Sequence, residues 1–166
     1  QSGAILGLVA NASPKDLSGR FISATAVLSS QLSQARDLGI LNSTQTIVDS
    51  VSNAIPDDIY RFTLSVTSDF SLNLSGLSTD VGVAVIKDIN GDNSIDFTDI
   101  IASSQESSLS PKSIEINALN PGTYYLRVYQ YQGSTNFTLN LSAIPTTVAA
   151  NNVSNLNGFD TRLGFG

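Results

Sequence analysis

"YRFTLSVTSDFSLNLSGL", Tyr60 to Leu77, carries an apolar residue at every second position on both sides of a short polar break. Tyr60, Phe62, Leu64 and Val66 share one face, with Arg61, Thr63 and Ser65 on the other; Phe70, Leu72 and Leu74 repeat the pattern against Ser71, Asn73 and Ser75. A period of two belongs to a strand with one side in a core and one in water, whereas a helix gathers its apolar residues every three or four positions. Ser68-Asp69 supplies turn chemistry between the two runs. The alternation recurs in "VGVAVIK" (Val81, Val83, Val85), "SIEINAL" (Ile114, Ile116), "TYYLRVYQ" (Tyr124, Leu126, Val128) and "TNFTLNLSAI" (Phe137, Leu139, Leu141). Ser78-Thr79-Asp80, Asn120-Pro121-Gly122 and Gln132-Gly133-Ser134 punctuate these runs. Six short strands spaced in this way predict an all-β fold, an antiparallel β-sandwich of jelly-roll or immunoglobulin-like kind.

Upstream, "SQLSQARDLGIL" (Ser30 to Leu41) sets Leu32, Ala35 and Leu38 roughly on one side with Gly39 as a stop, which predicts a helical turn or two. "TQTIVDSV" reads as a further strand, and Pro56-Asp57-Asp58 as the turn that delivers the chain to Tyr60. The chain thus divides into an N-terminal arm (1–29), a sandwich (30–144) and a C-terminal tail (145–166), the arms being extended. The N-terminal arm holds two apolar, β-prone stretches, "GAILGLVAN" with Ile5, Leu6, Leu8 and Val9, and "GRFISATAVLSS" with Ile22, Ala24, Ala26 and Leu28 on one face. Neither has a place in its own sandwich, so both are candidate assembly segments that donate a strand to an open sheet edge of another copy.

The 166 residues suit one domain plus arms. With 41% hydrophobic but only 13% charged residues, solubility rests on Ser, Thr and Asn rather than on Lys and Glu. A net charge of -6 offers no basic stripe to neutralise phosphates, which argues against nucleic acid and against an anionic membrane surface. No stretch of about 18 apolar residues is present to span a bilayer. A Ser/Thr/Asn-rich, Lys-poor, acidic chain beginning at Gln1 is expected to be a secreted product whose signal segment has been removed.

"DINGDNSIDFTD", Asp88 to Asp99, is the densest acidic cluster. Counting from Asp88 as the first position, oxygen-bearing side chains fall at positions 1, 3, 5, 9 and 12, namely Asp88, Asn90, Asp92, Asp96 and Asp99, and Ser94 at position 7 would contribute its carbonyl. This is EF-hand spacing, in which hard oxygens wrap a Ca²⁺ ion, with Asn93 standing where Gly is usual and Asp where Glu is usual at position 12, as in dockerin-type loops. The flanking helices of an EF-hand are missing, so the loop is expected alone, grafted between strands. An Asp/Asn-rich surface turn would look similar. Four carboxylates in twelve residues nevertheless repel one another without a cation.

The chain has neither His nor Cys, no S-x-x-K or G-x-S-x-G pattern and no phosphate-binding fingerprint, so the expectation is a non-enzyme. Tyr125 and Tyr129 fall on the face opposite Tyr124. They are either ordinary outward packing or a platform for sugar stacking or protein contact.

The run "DDIYRFTLS…NLSGLSTDVGVAVIKD…LNPGTYYLRVYQYQGSTNFTLNLSA" resembles the bacterial pre-peptidase C-terminal domain family, common in cyanobacteria. The residues carrying the resemblance are Asp58 with Tyr60 and Phe62, then Pro121-Gly122-Thr123-Tyr124-Tyr125 leading into Arg127-Val128-Tyr129, then Asn136-Phe137-Thr138-Leu139. It extends from about Ser30 to Ala143 and departs from the plain pattern in the long acidic loop after Val85. The resemblance implies a β-sandwich module, extracellular placement and a binding or assembly role, without an active site. Together these readings predict a secreted structural subunit that homopolymerises into a filament or surface layer through its arms, with Ca²⁺ stiffening the loop. The alternative is a monomeric adhesion module that binds surface glycans or a protein.

Overall fold

The structure is a computed structural model and describes residues 31–146. A 3-10 turn (Leu32–Gln34) leads into nine strands: β1 (Arg36–Ile40), β2 (Gln45–Val51), β3 (Asp57–Leu64), β4 (Ser68–Ser75), β5 (Val81–Ile86), β6 (Ile100–Ser104), β7 (Lys112–Leu119), β8 (Gly122–Gln130) and β9 (Thr135–Pro145), with a second 3-10 turn (Phe97–Asp99) before β6. They form a five-stranded sheet, β1-β3-β8-β5-β6, and a four-stranded sheet, β2-β9-β4-β7. The expected two-sheet β-sandwich is therefore present. At nearly every connection the chain crosses from one sheet to the other; only β5 and β6 are both consecutive and hydrogen-bonded.

Alternation places the core. In β4 buried and open positions alternate along the whole strand, with Phe70, Leu72 and Leu74 inward, and β9 does the same with Phe137, Leu139, Leu141 and Ala143. The facing rows of the other sheet are Tyr60, Phe62 and Leu64 from β3 and Tyr124, Leu126 and Val128 from β8, all buried. Phe62 stacks on Phe70 of the opposite sheet at 5.2 Å between ring centroids, and on Tyr124 of its neighbouring strand at 5.6 Å. Tyr124 satisfies its hydroxyl by donating to the Asn120 carbonyl at 2.8 Å, so a polar atom is buried without loss.

One buried group is a lysine. Lys112 is 1% exposed; its ammonium donates to the carbonyls of Glu106 and of Ser108 (2.8 Å) and lies 3.7 Å from the Asp80 carboxylate. This cation folds the 105–111 connection back against the start of β5, since an unpaired buried charge would be costly.

Four expectations are corrected. The segment predicted as helical forms one 3-10 turn and then β1, which pairs parallel to β3, so the sandwich is not wholly antiparallel. Strand pairing outweighs the weak apolar spacing of Leu32, Ala35 and Leu38. Asp57 and Asp58 are strand residues rather than a turn. Val66 lies beyond β3 and is 48% exposed, not on the face of Tyr60 and Phe62. β6 is an additional strand, too short to show a period. The assembly residues Ile5, Leu6, Leu8, Val9, Ile22 and Leu28, with both arms, lie outside the described residues.

The inter-sheet stack makes Phe62 a sensitive position. Phe62→Ala should lower the unfolding free energy by about 3–5 kcal/mol, read as a lower urea midpoint at unchanged slope; a loss well under 1 kcal/mol would mean the stack is not what joins the sheets.

Candidate functional site

The acidic connection joins β5 to β6, the outermost strand of the five-stranded sheet. Its carboxylates are committed mainly to the loop's own backbone, and the Asn90 amide donates to Asp92 (3.0 Å) and Asp96 (3.5 Å). Asp88 accepts from the N–H groups of Gly91 (2.7 Å) and Asn93 (3.0 Å), Asn90 from Asp92 (3.1 Å), and Asp92 from Ser94 (2.8 Å). Gly91 and Asn93 both take positive φ, 73° and 59°, which turns the chain at the fourth and sixth loop positions; Asn is among the few side-chain-bearing residues that adopt this region readily. The loop closes on a capped 3-10 turn: Asp96 accepts from Thr98 N–H at 2.8 Å, and Asp99 accepts from Asp96 N–H at 3.1 Å. The Asp96 carboxyl is held below the usual range, chiefly by the Thr98 hydroxyl and then by the Thr98 amide.

Asp99 is wholly buried and also accepts from Ile89 N–H at 3.1 Å, so the last loop position is tied to the second. Asn93 gives its carbonyl to Leu32 N–H at 3.3 Å. The root of the N-terminal arm is thereby attached to the loop's apex. All six residues predicted as ligands lie on this one connection, Asp88, Asn90, Asp92, Ser94, Asp96 and Asp99. In the present geometry, however, no three acidic side chains among the described residues converge on a point that could hold a metal ion.

A second acidic group was not singled out from sequence. Asp58 precedes Tyr60 by two residues and so shares its face, and the Tyr60 hydroxyl donates to Asp49 of β2 at 3.0 Å. Arg36 of β1 reaches the same Asp49 oxygen at 3.3 Å, while Asp57 pairs with Arg127 of β8 at 2.8 Å. Asp58 has no such partner: its Oδ2 is buried without a hydrogen bond. Burial, then the charges of Asp49 and Asp57, push the Asp58 carboxyl up to about 6, with Arg36 opposing. The spacing Asp58-x-Tyr60 was the signal available in sequence, but Asp49 comes from the other sheet, which no local pattern reveals.

Tyr125 and Tyr129 do face outward from β8, but Tyr129 covers β5. Gly82 lies beneath Tyr129, and a Cβ there would come within 2.4 Å of the ring. Arg127 stacks on the Tyr129 ring at 4.9 Å, and Tyr131 meets it edge-on at 5.6 Å. Burial, reinforced by Tyr131, raises the Tyr129 hydroxyl's affinity for its proton. All six residues of β5 are buried when only Val81, Val83 and Val85 were expected inside, and Tyr129 accounts for this at Gly82.

Residues 57–130 match the bacterial pre-peptidase C-terminal domain. The matched stretch runs from the first residue of β3 to the last of β8 and contains the acidic β5–β6 connection, Asp57, Asp58 and the tyrosines of β8, while Asp49 lies outside it. Among solved structures, the pre-peptidase C-terminal domain of a collagenase from Bacillus anthracis superposes with a TM-score of 0.53 at 20% identity, covering 66% of this chain and 95% of that one. At that identity the likeness is one of fold. A periplasmic inhibitor of g-type lysozyme from Aeromonas hydrophila aligns with a TM-score of 0.42 at 12% identity, over 66% of this chain and 96% of that one. No curated protein sequence matches the chain. No helix among the described residues is long and apolar enough to cross a membrane.

Asp58 yields a pH test with a definite sign. Because its folded value lies above the ordinary 3.8, the folded state holds the proton more tightly, and this group's contribution is fully present below about pH 3.8 and lost as pH rises to about 6. Asp58→Asn should therefore gain stability at pH 7, by about 1 kcal/mol once partial solvent access is allowed for, and should flatten the loss between pH 4 and 6. Thermal melts across that range check it; unchanged curves would mean the carboxylate is better solvated than its geometry implies.

Proposed function

We propose that the chain is a non-catalytic structural module of an extracellular protein, that Ca²⁺ closes its β5–β6 connection, and that copies assemble through their terminal arms into a filament or surface layer. The observation that carries this reading is the Leu32–Asn93 hydrogen bond, which attaches the root of the arm to the apex of the acidic loop. A cation that orders the loop would then also set the direction in which the arm leaves.

Ca²⁺ suits the donors. Hard oxygens at six loop positions, two of them exposed and three half-buried, match its preference for carboxylate and carbonyl ligands. The residues that would hold it are Asp88, Asn90, Asp92, Ser94, Asp96 and Asp99. Binding would gather Asp88, Asp92 and Asp96 around the cation, which offsets their mutual repulsion. The chain contains no His or Cys to act as general base or thiol nucleophile, which fits a module that binds rather than reacts.

The alternative, a glycan- or protein-binding module acting through Tyr125 and Tyr129, is less well supported. The Tyr129 ring is spent on Gly82 and Arg127, leaving less of it for a ligand.

Two measurements test the proposal. Millimolar Ca²⁺ should raise the thermal midpoint by roughly 5–10 °C over a chelator, corresponding to about 2–3 kcal/mol of ligand linkage, and Asp92→Ala should remove most of that rise; a midpoint indifferent to Ca²⁺ would sink the loop's role. Negative-stain microscopy should show filaments or sheets with the full chain and discrete folded particles after removal of residues 1–29. If assembly survives that truncation, the arm is not what joins the copies.

A further inference from the structure

The β6 edge differs from the other three sheet edges. An edge strand presents unpaired N–H and C=O groups, and proteins shield such edges with charge, bulges or cover. β1 carries Arg36 and Asp37, the latter paired with Arg61. β7 carries Glu115, and a bulge at Ala118, where φ is 52°, interrupts its register. β2 holds Asp49 and one exposed apolar side chain, Val48. β6, "IIASS", has no charge, no proline and no glycine, and its one irregularity is a register shift against β5 between Ile100 and Ala102.

The same edge collects exposed apolar side chains. Phe97, immediately before β6, is 90% exposed, Ile89 of the connection 67%, and Ile101 on the strand 40%. Single exposed apolar residues are ordinary, but a nearly naked phenylalanine next to an uncharged open edge marks a contact surface.

We infer that β6 is the acceptor edge for the arm of a neighbouring copy, with residues 20–30 adding as a sixth strand and covering Phe97, Ile89 and Ile101. This rests on the assembly reading above and names where it acts. Three observations select the occupant. The chain outside the described residues supplies 30 residues before β1, and in "RFISATAVLSS" Ile22, Ala24, Ala26 and Leu28 present one apolar face for the exposed row while the backbone pairs with the edge. Arg20 and Lys15 precede that face, and the connection beside β6 holds four carboxylates within twelve residues, so the charges are complementary. The arm leaves at Leu32, beside the loop that borders the same edge, so each copy presents donor and acceptor at one end of the sandwich. Donor and acceptor are different surfaces, so the contact can repeat head-to-tail without closing.

The absence of native cysteine allows a direct test on the full chain. Two single-cysteine proteins, Ala24→Cys and Ile101→Cys, are mixed, oxidised and run on a non-reducing gel. A mixed disulfide dimer is expected at several times the yield obtained when Ile101→Cys is replaced by Ser113→Cys, an exposed position on the β7 edge. Equal yields would overturn the assignment of the edge, and would do so without touching the assembly reading if filaments still form. A chain carrying both Ala24→Cys and Ile101→Cys that closes on itself at high dilution, with no mixed dimer, would overturn a neighbouring copy as the occupant. Phe97→Asp should abolish assembly while leaving the thermal midpoint within a few degrees, because so exposed a ring contributes little to the fold; assembly that survives Phe97→Asp would also overturn the proposal. Absence of filaments in the unsubstituted protein would remove the assembly reading and this inference together.

Discussion

The contact between Phe62 and Phe70 joins two sheets that otherwise share no hydrogen-bonded strand pair. Phe62 also lies on Tyr124, its partner across the β3–β8 ladder, so one ring fixes both the distance between the sheets and the register within one of them. A register slip of one residue would turn Tyr60, Phe62 and Leu64 out into water and bring Arg61 and Thr63 inside. The rest of the sandwich follows from holding that register. Tyr125, Arg127 and Tyr129 then face outward over β5, Asp57 meets Arg127, and Asp58 is carried inward beside Tyr60 and Asp49.

The buried charge and the acidic groups lie near the ends of this framework. Lys112 is tolerated inside because two carbonyls and the Asp80 carboxylate surround it, and in return it holds the β6–β7 connection against β5. Asp58 lacks such partners, and its burial pushes its carboxyl up to about 6. The β5–β6 connection uses a third arrangement, in which each carboxylate caps backbone amides, so the loop keeps a defined shape while Asp88, Asp92 and Asp96 stay near the surface and only Asp99 is buried. Its apex carries the root of the N-terminal arm, and its far end leads into an uncharged open edge. Leu32, the loop and the β6 edge thus meet at one corner of the sandwich.

How much of this was legible beforehand depended on the range of the interaction. Strands β4, β8 and β9 were read correctly because one face is buried and one open, and alternation records that contrast directly. β5 read as a strand, but its outer face was expected to be open, since the tyrosine cover comes from 40 or so residues away in sequence. β1 and β6 were not read as strands: each is five residues long, and their pairing rather than their composition makes them strands. The loop's register was visible because its ligand positions are consecutive in the chain, whereas the Asp49–Tyr60–Asp58 group was not, because it is assembled across the two sheets.

By itself, then, the amino-acid order determined the layer architecture, the spacing of oxygens in the acidic loop and the lack of groups for His- or Cys-based catalysis. These are properties of neighbouring residues, governed by the two-residue repeat of a strand and by side-chain chemistry. Tertiary structure alone decided which strands lie at the edges, which carboxylate is left without a partner and that the arm is rooted on the loop. Each of those depends on which distant segments pair, and pairing is selected by the packing of the shared core rather than by any local pattern.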